Sequence, residues 1–178
     1  VGDNPASLLY VSRKQEKALD LGVEFNWLKL DTDTSQETLE EVISEESKAT
    51  DGLIIQLPLP SHLNPEEAIN CIPHEIDVDG LTSYNLGSLF SDTYKLIPAT
   101  SLAVLELLNF YNIQTEDKNI VIAGRSRLVS APLAKILSSK SYNANVSIIH
   151  SRTTNQKLFT KQAYIFISAI VSEKMYDR

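Results

Sequence analysis

The sequence predicts an α/β fold in two lobes, because short apolar runs alternate with segments of helical periodicity along its 178 residues. Two of the runs, 52–57 and 119–123, are largely apolar, which is typical of strands buried in a parallel sheet. Helical segments between successive strands indicate βαβ crossovers. We expect the lobes to divide near Leu96 and Ile97, into residues 1–97 and 98–178.

The individual elements follow from periodicity and from start and stop signals such as a capping residue, proline or glycine. The predicted helices are 7–21, 34–47, 65–72, 100–111 and 131–139. The predicted strands are 23–30, 52–57, 119–123, 144–149 and 164–169. Residues 77–95 are expected to form a loop. At Gly124 a strand passes through a turn into a helix, an arrangement that can place a phosphate at a helix N-terminus.

Composition and charge restrict the class of protein. A hydrophobic fraction of 43% beside 22% charged residues allows a packed core and argues against global disorder. The net charge of -7 argues against nucleic acid as the main partner, since phosphate backbones require a basic face. No apolar run reaches the roughly 18 residues of a membrane span. The single cysteine, Cys71, excludes an internal disulfide and a cysteine-rich zinc site, so we expect no metal site and a reducing compartment.

One lysine in the first lobe has neighbours that suit proton transfer. Tyr10 and Lys14 are four residues apart and therefore share a helix face, with Ser7 one turn earlier. Gln56 ends an apolar run, where the ligand-facing residues of open α/β sheets lie, and Asp79 stands in a short acidic turn. A lysine on a helix is most often a solvated charge, whereas one beside a phenol and an amide can act as a general acid or base.

Several motifs, in order and at matching spacing, resemble the methylenetetrahydrofolate dehydrogenase/cyclohydrolase family. The motifs are VGDNPAS at 1–7, YVSRK at 10–14, DGLIIQLPLP at 51–60, IDVDG at 76–80 and N-x-G at 85–87. The resemblance implies an N-terminal α/β folate-binding catalytic lobe and a Rossmann-like, parallel-sheet nucleotide-binding lobe. It also implies that both lobes are incomplete at the chain ends, with a natural start before Val1.

By this resemblance, Lys14 would be the general acid/base of the cyclohydrolase step, in a catalytic set with Tyr10 and Gln56. Tyr10 would orient the folate, Gln56 would hold Lys14 in its productive state, and Asp79 would hydrogen-bond the pterin ring. The implied substrate-binding residues are Ser7, Tyr10, Gln56, Leu57, Pro58 and Asp79.

The second lobe resembles the same family less densely. GRSRLVSAP at 124–132 matches the pattern GRSxxVGxP, and HSRT at 150–153 matches HSxT. The implied cofactor-binding residues are Gly124, Arg125, Ser126, Ser151 and Arg152. A guanidinium near the ribose 2′-phosphate favours NADP over NAD, although Arg152 reads equally well as an exposed loop arginine. Ser130, Ala103 and Val171 stand where relatives have glycine, so each adds a Cβ where glycine would leave room for a cofactor.

The resemblance implies NADP-dependent oxidation of 5,10-methylenetetrahydrofolate to 5,10-methenyltetrahydrofolate, and its hydrolysis to 10-formyltetrahydrofolate. It also implies a homodimer, a role in purine biosynthesis and a cytoplasmic location, with mitochondria as the other compartment. One alternative is a noncatalytic paralogue or fragment that retains folate binding, which the missing glycines favour. A second is a monofunctional dehydrogenase, against which Lys14 argues. A generic hydroxy-acid or sugar-nucleotide dehydrogenase would not explain QLPLP and DVDG.

Overall fold

The computed structural model describes residues 1–170, which divide into two compact units, Val1–Val78 and Asp79 onward. The first unit contains three helices: α1 Pro5–Asp20, α2 Gln36–Glu46 and α3 Pro65–Asn70. The expected lobe boundary near Leu96 and Ile97 stays a prediction. No helix within residues 1–170 combines the length and the apolarity that crossing a membrane would require.

Each helix of the first unit begins at a polar capping side chain. Asn4 accepts a hydrogen bond from the Ser7 amide and precedes Pro5, while Ser35 and Asn64 cap α2 and α3 in the same way. The core of this unit lies between α2, α3 and the loops beside them, and its buried residues are Leu39, Ile43, Leu63, Ala68 and Ile72. Helix α1 contributes no buried residue. It is therefore a helix whose side chains remain largely available for ligand or partner contacts.

Two strand predictions in the first unit are wrong. Residues 23–30 form no strand, and 52–57 contributes only an isolated parallel bridge between Leu53 and Asp77. The Leu53 amide donates to the Ile76 carbonyl at 2.8 Å, and the Gly2 amide donates to the Leu30 carbonyl at 2.9 Å. A ladder needs a neighbour along several residues. Apolar runs with neighbours at single points stay extended without becoming strands.

The second unit has a parallel three-stranded sheet with helices on both faces. Its elements are α4 Ser83–Phe90, α5 Ala99–Phe110, β1 Asn119–Ala123, α6 Ser130–Leu137, β2 Asn145–Ile149, α7 Gln156–Gln162 and β3 Ile165–Ser168. The strand order is β2-β1-β3, so β1 is central. Ala123 pairs in register with Ile149 on one side and Ser168 on the other. The carboxyl ends of all three strands therefore meet at one edge, where open α/β sheets bind ligands.

Alternation along β1 divides the second core into two layers. Ile120 and Ile122 pack in the larger cluster with residues of α4, α5 and α6, including Leu89 and Leu133. Val121 and Ala123 point to the other face, where Ile149, Phe159 and Ala163 cover them. This two-sided burial confirms the expected α/β class and explains why the run 119–123 is apolar at nearly every position.

The predicted loop 77–95 and the connection before β3 each contain a helix. Thr82 caps α4 by accepting from the Asn85 amide, and Leu89 on α4 is buried in the core. Gly87 in the middle of α4 weakens the helical signal, because glycine is a poor helix former. Helix α7 has seven residues and, unlike α4, no side-chain cap, so its sequence carries no start signal. Packing contributes to both helices, through Leu89 on α4 and Phe159 on α7.

Candidate functional site

One face of α1 carries three of the predicted site residues. Ser7, Tyr10 and Lys14 follow one another at helical spacing along this 16-residue helix. Tyr10 is 60% exposed, Lys14 is half-buried, and the Ser7 hydroxyl is buried without a hydrogen-bond partner among residues 1–170. The face thus presents a phenol and an ammonium group next to an unsatisfied hydroxyl.

The predicted amide lies in the same unit, at the start of the proline-rich segment. Gln56 is half-buried, and its Nε2 donates to the Leu57 carbonyl at 2.7 Å. Its Oε1 is buried and has no donor within the described part of the chain. A buried acceptor without a partner costs about 1–3 kcal/mol. Gln56 Oε1 is therefore a ready acceptor for an ammonium or a ligand N–H.

The proline-rich segment reaches the start of α1. A Cβ built on Gly2, two residues before the Asn4 cap, would lie 3.9 Å from Cγ of Pro60. Leu57 is half-buried and Pro58 is exposed, and a cis peptide bond joins them. The predicted substrate-binding residues at 56–58 thus belong to a segment that approaches the N-terminal end of α1.

The two acidic residues of the DVDG turn differ in burial. Asp77 is 1% exposed and forms the bridge with Leu53, so it orders the turn. Asp79 is half-buried, already takes part in an interaction, and belongs to the second unit. The structure therefore gathers Ser7, Tyr10, Lys14 and Gln56 in one unit and places Asp79 in the other.

Cys71 shows the environment of a packed thiol. It is half-buried beside the core of the first unit. Burial raises the pKa of the Cys71 thiol above its ordinary value, and the neighbouring carboxylates of Glu40 and Glu67 raise it further. A thiol that holds its proton is a poor nucleophile, so Cys71 is a packed residue of this core rather than a reactive one.

The turn after β1 requires glycine at position 124. Gly124 has a φ of +121°, and a Cβ on it would lie 2.9 Å from the Ala169 carbonyl oxygen. The Gly124 amide donates to the Ile149 carbonyl at 2.8 Å, which ties the turn to the end of β2. This residue therefore lets the backbone pass closely between the ends of β2 and β3, where a side chain would not fit.

Ser130, which stands where relatives have glycine, is turned inward. It is fully buried, and its Oγ lies 2.9 Å from the position that a Cβ on Gly124 would occupy. This hydroxyl has no hydrogen-bond partner within residues 1–170. Because Ser130 Oγ is shielded from solvent, it occupies space behind the turn rather than on the surface that a nucleotide would contact.

Ser126 orders the same turn, while Arg125 is exposed to solvent. Ser126 Oγ accepts from the Val129 amide at 3.2 Å, and its carbonyl accepts from the Ala131 amide at 3.0 Å. The Arg125 side chain is exposed and forms no hydrogen bond or ion pair with the part of the chain described. It is thus a cation available to a ligand at this edge of the sheet.

A second turn, directly after β2, carries the remaining predicted cofactor residues. Ser151 and Arg152 are both exposed, and their side chains make no hydrogen bond to residues 1–170. Since the Gly124 amide is bonded to Ile149, this turn and the turn with Arg125 lie side by side. The structure therefore brings together all five residues predicted to bind the cofactor. The sequence had singled out His150 only as part of a motif, and this turn is built around it.

Two further positions carry another residue where the family pattern has glycine. Ala103 is exposed on α5, and Val171 falls outside residues 1–170. A cavity of about 330 Å³ lies where the chain enters β1 and β2, lined by residues such as Asn112, Gln114 and Tyr142. Because it adjoins the beginnings of the strands, it is not part of the edge that carries Gly124.

Comparison with known proteins adds to this geometry. Residues 1–79 match the family described as "Tetrahydrofolate dehydrogenase/cyclohydrolase, catalytic domain", and residues 98–178 match its "NAD(P)-binding domain". The chain is 41% identical over 172 residues to the "Bifunctional protein FolD" of Streptococcus agalactiae, covering 96% of this chain and 60% of that protein. It is 40% identical over 179 residues to the protein of the same name from Borrelia garinii, covering 99% and 60%. The chain thus spans about three fifths of these relatives.

Solved structures show the same likeness. The bifunctional enzyme FolD of Campylobacter jejuni superposes with a TM-score of 0.89 at 34% identity, covering 94% of this chain and 60% of that one. A Trypanosoma brucei dehydrogenase-cyclohydrolase, complexed with NADP cofactor and inhibitor, gives 0.88 at 29% identity, covering 96% and 59%. The NAD-dependent dehydrogenase of Saccharomyces cerevisiae gives 0.80 at 17% identity, covering 98% and 68%, and so speaks to the fold alone.

Proposed function

The chain belongs to the tetrahydrofolate dehydrogenase/cyclohydrolase family, and on that basis we propose that it performs both reactions of the family name. It oxidises 5,10-methylenetetrahydrofolate to 5,10-methenyltetrahydrofolate with NADP, and it hydrolyses the product to 10-formyltetrahydrofolate. The observation that carries the proposal is the pair of unsatisfied buried atoms, Ser7 Oγ and Gln56 Oε1, in the unit that presents Tyr10 and Lys14. Buried polar groups without partners are rare in folded proteins and call for an explanation such as a ligand.

In the hydrolytic step, Lys14 moves protons. Water adds to the methenyl carbon, and the Lys14 amine takes a proton from that water. The bond from this carbon to N5 of the folate then breaks, and Lys14 Nζ returns the proton to N5. The remaining hydroxyl proton leaves to solvent as the formyl carbonyl forms. Gln56 Oε1 accepts a hydrogen bond from the ammonium form and so holds Nζ between its two tasks.

Other residues of the first unit position the folate. Tyr10 lies one turn before Lys14 on the same face and is 60% exposed, so its ring can stack on the ligand. Ser7, Leu57 and Pro58 complete the surface near the start of α1, and Asp79 is the proposed partner of the pterin ring. We place the boundary of this catalytic lobe after residue 97.

For the oxidation step, the second unit binds the dinucleotide, and the nicotinamide, when bound, accepts the hydride from the methylene carbon. The residues present fit such a group, because the Gly124 turn stands at the carboxyl edge of the parallel sheet, where open α/β sheets bind ligands, and Arg125 is an exposed cation without a partner within residues 1–170. Ser126 keeps that turn in shape. In this step the protein positions the dinucleotide and the folate and supplies charge. No side chain accepts or donates the hydride.

We propose NADP rather than NAD as the cofactor. Arg125 and Arg152 extend from adjacent turns, and neither guanidinium is neutralised by the described residues. Two free cations beside Ser151 suit a 2′-phosphate, which NAD lacks. A homodimer, a role in purine biosynthesis and a cytoplasmic location are further proposals, which follow from the resemblance to the family.

The direct test is an assay of the purified chain. Methenyl formation is followed by absorbance with NADP and then with NAD, and the decay of added methenyltetrahydrofolate is followed separately. We expect oxidation with NADP and accelerated hydrolysis. Folate binding without either activity would contradict the proposal that the chain is an enzyme and would support the alternative of a noncatalytic paralogue.

A further inference from the structure

His150, the first residue after β2, is the centre of the turn that carries Ser151 and Arg152. Its backbone amide donates to Oγ1 of Thr153 at 3.0 Å, and its carbonyl accepts from the Thr153 amide at 2.8 Å. The same carbonyl accepts from Nε2 of Gln156, the first residue of α7, at 3.0 Å. Three hydrogen bonds therefore fix the backbone of His150 between the sheet and α7.

The fourth hydrogen bond involves the imidazole ring. The backbone amide of Arg152 lies 3.2 Å from Nδ1 of His150. A backbone N–H can only donate, so Nδ1 must be the acceptor and the proton of the neutral ring resides on Nε2. The ring thereby holds the peptide between Ser151 and Arg152 in one orientation, and no other side chain of the described residues bonds to the Arg152 amide.

Holding this peptide matters because the side chains on either side of it are free. Ser151 and Arg152 are exposed and without partners within residues 1–170, so nothing but the turn backbone sets their starting positions. The turn is also anchored next to the Gly124 turn through the Ile149 carbonyl. A small rotation of the Ser151–Arg152 peptide would displace both groups relative to Arg125.

We propose that His150 is a positioning residue for nucleotide selection. By accepting the Arg152 amide on Nδ1, it preorganises Ser151 and Arg152 to meet the 2′-phosphate, and so contributes to the preference for NADP over NAD. This inference rests on the proposed function of the second unit as an NADP-binding lobe. Preorganisation of this kind improves affinity by lowering the cost of ordering the contact residues on binding.

Two substitutions at position 150 distinguish the hydrogen-bond acceptor of the ring from its bulk. In His150→Asn, the amide Oδ1 can occupy the place of Nδ1 and accept from Arg152. In His150→Leu, the side chain has similar bulk but no acceptor. Both variants keep the backbone hydrogen bonds to Thr153 and Gln156. The two substitutions therefore separate the ring acceptor from a general role in the fold.

The experiment measures dissociation constants of NADP and NAD by calorimetry for the parent chain and both variants. Losing one hydrogen bond that positions the contact residues corresponds to about a fivefold change in affinity. We expect His150→Leu to weaken NADP by about fivefold while NAD changes by less than about twofold, and His150→Asn to recover most of the NADP affinity. Equal weakening of the two nucleotides, or equal effects of the two substitutions, would overturn the inference.

Amide hydrogen exchange of the same three proteins supplies a readout that needs no nucleotide. The Arg152 amide should exchange faster in His150→Leu than in the parent, with His150→Asn close to the parent. Unchanged exchange in His150→Leu would show that the ring does not hold the turn. If the parent binds neither nucleotide, the proposed cofactor and the selection role both fail, while exchange still decides whether His150 holds the Arg152 amide.

Discussion

The hydroxyl of Ser130 lies 2.9 Å from the point that a Cβ on Gly124 would occupy, so the two residues share one space behind the turn that follows β1. Gly124 has no side chain in this space, and the Ser130 hydroxyl lies next to it. This relationship explains how the chain can carry a serine where the family pattern GRSxxVGxP has glycine without closing the exposed edge of the sheet. The contributions of Gly124 and Ser130 can be measured separately by substituting one residue at a time.

Gly124→Ala should destabilise the protein and abolish nucleotide binding. Its φ of +121° is unfavourable for alanine, and the new methyl would press against the Ala169 carbonyl, which is backbone and cannot move aside cheaply. Strain of this kind costs on the order of 1–3 kcal/mol, measurable as a lower urea midpoint.

The matched control is Gly22→Ala, where φ is +70° but nothing lies within 4 Å of the new methyl. It carries the backbone strain without the contact, so it should be the milder change and should leave nucleotide binding unaltered. Equal effects of the two substitutions would show that contact with Ala169 is unimportant.

Ser130→Gly restores the residue of the relatives and should leave NADP affinity within about twofold of the parent, because the buried hydroxyl does not face the ligand surface. Ser130→Ala removes an unsatisfied buried hydroxyl and should be neutral or stabilising by up to about 1 kcal/mol. Calorimetric titration and chemical denaturation check the two statements. A tenfold or greater gain in NADP affinity on Ser130→Gly would mean that the serine obstructs the cofactor after all.

Cys71 should react slowly with iodoacetamide. Since burial, and then Glu40 and Glu67, raise its thiol pKa, a smaller fraction is thiolate at any given pH than for an unperturbed thiol, whose pKa is about 8.5. The rate, measured against a short unfolded cysteine peptide at the same pH, should be lower, and its pH midpoint should lie higher. Glu67→Gln should increase the rate, since it removes one of the charges that oppose ionisation. A rate equal to that of the peptide would contradict this description.

Several parts of the fold could be predicted because the signal is local. β1 was predicted with its observed bounds, since a continuous apolar run between turn residues suits a central strand. Tyr10 and Lys14 share a face because helix geometry alone requires it. The strands expected at 23–30 and 52–57 do not form, because strand pairing depends on a neighbouring segment that is often distant in the sequence. The helix α4, with Gly87 inside it, forms through burial of Leu89, which periodicity did not reveal.

The candidate site likewise combines features that the sequence predicts with features that only packing determines. The resemblance of motifs pointed to Gln56 and Gly124, but it could not show that the Gln56 oxygen lacks a donor or that a Cβ at 124 would meet Ala169. The role of His150 depends on a ring nitrogen that meets the amide two residues later, a contact set by the turn rather than by residue type. Sequence identifies the groups, and packing determines which of their atoms remain available.

The central claim is that Lys14 is the proton carrier of the hydrolytic step, and the rate of methenyltetrahydrofolate hydrolysis in Lys14→Met tests it most directly. Lys17→Met is the matched control, because Lys17 is on the same helix and its exposed side chain forms an ion pair with Asp20. We expect Lys14→Met to lose at least about a hundredfold in hydrolysis while it still binds folate, and Lys17→Met to match the parent. Hydrolysis at the parent rate in Lys14→Met would contradict the account.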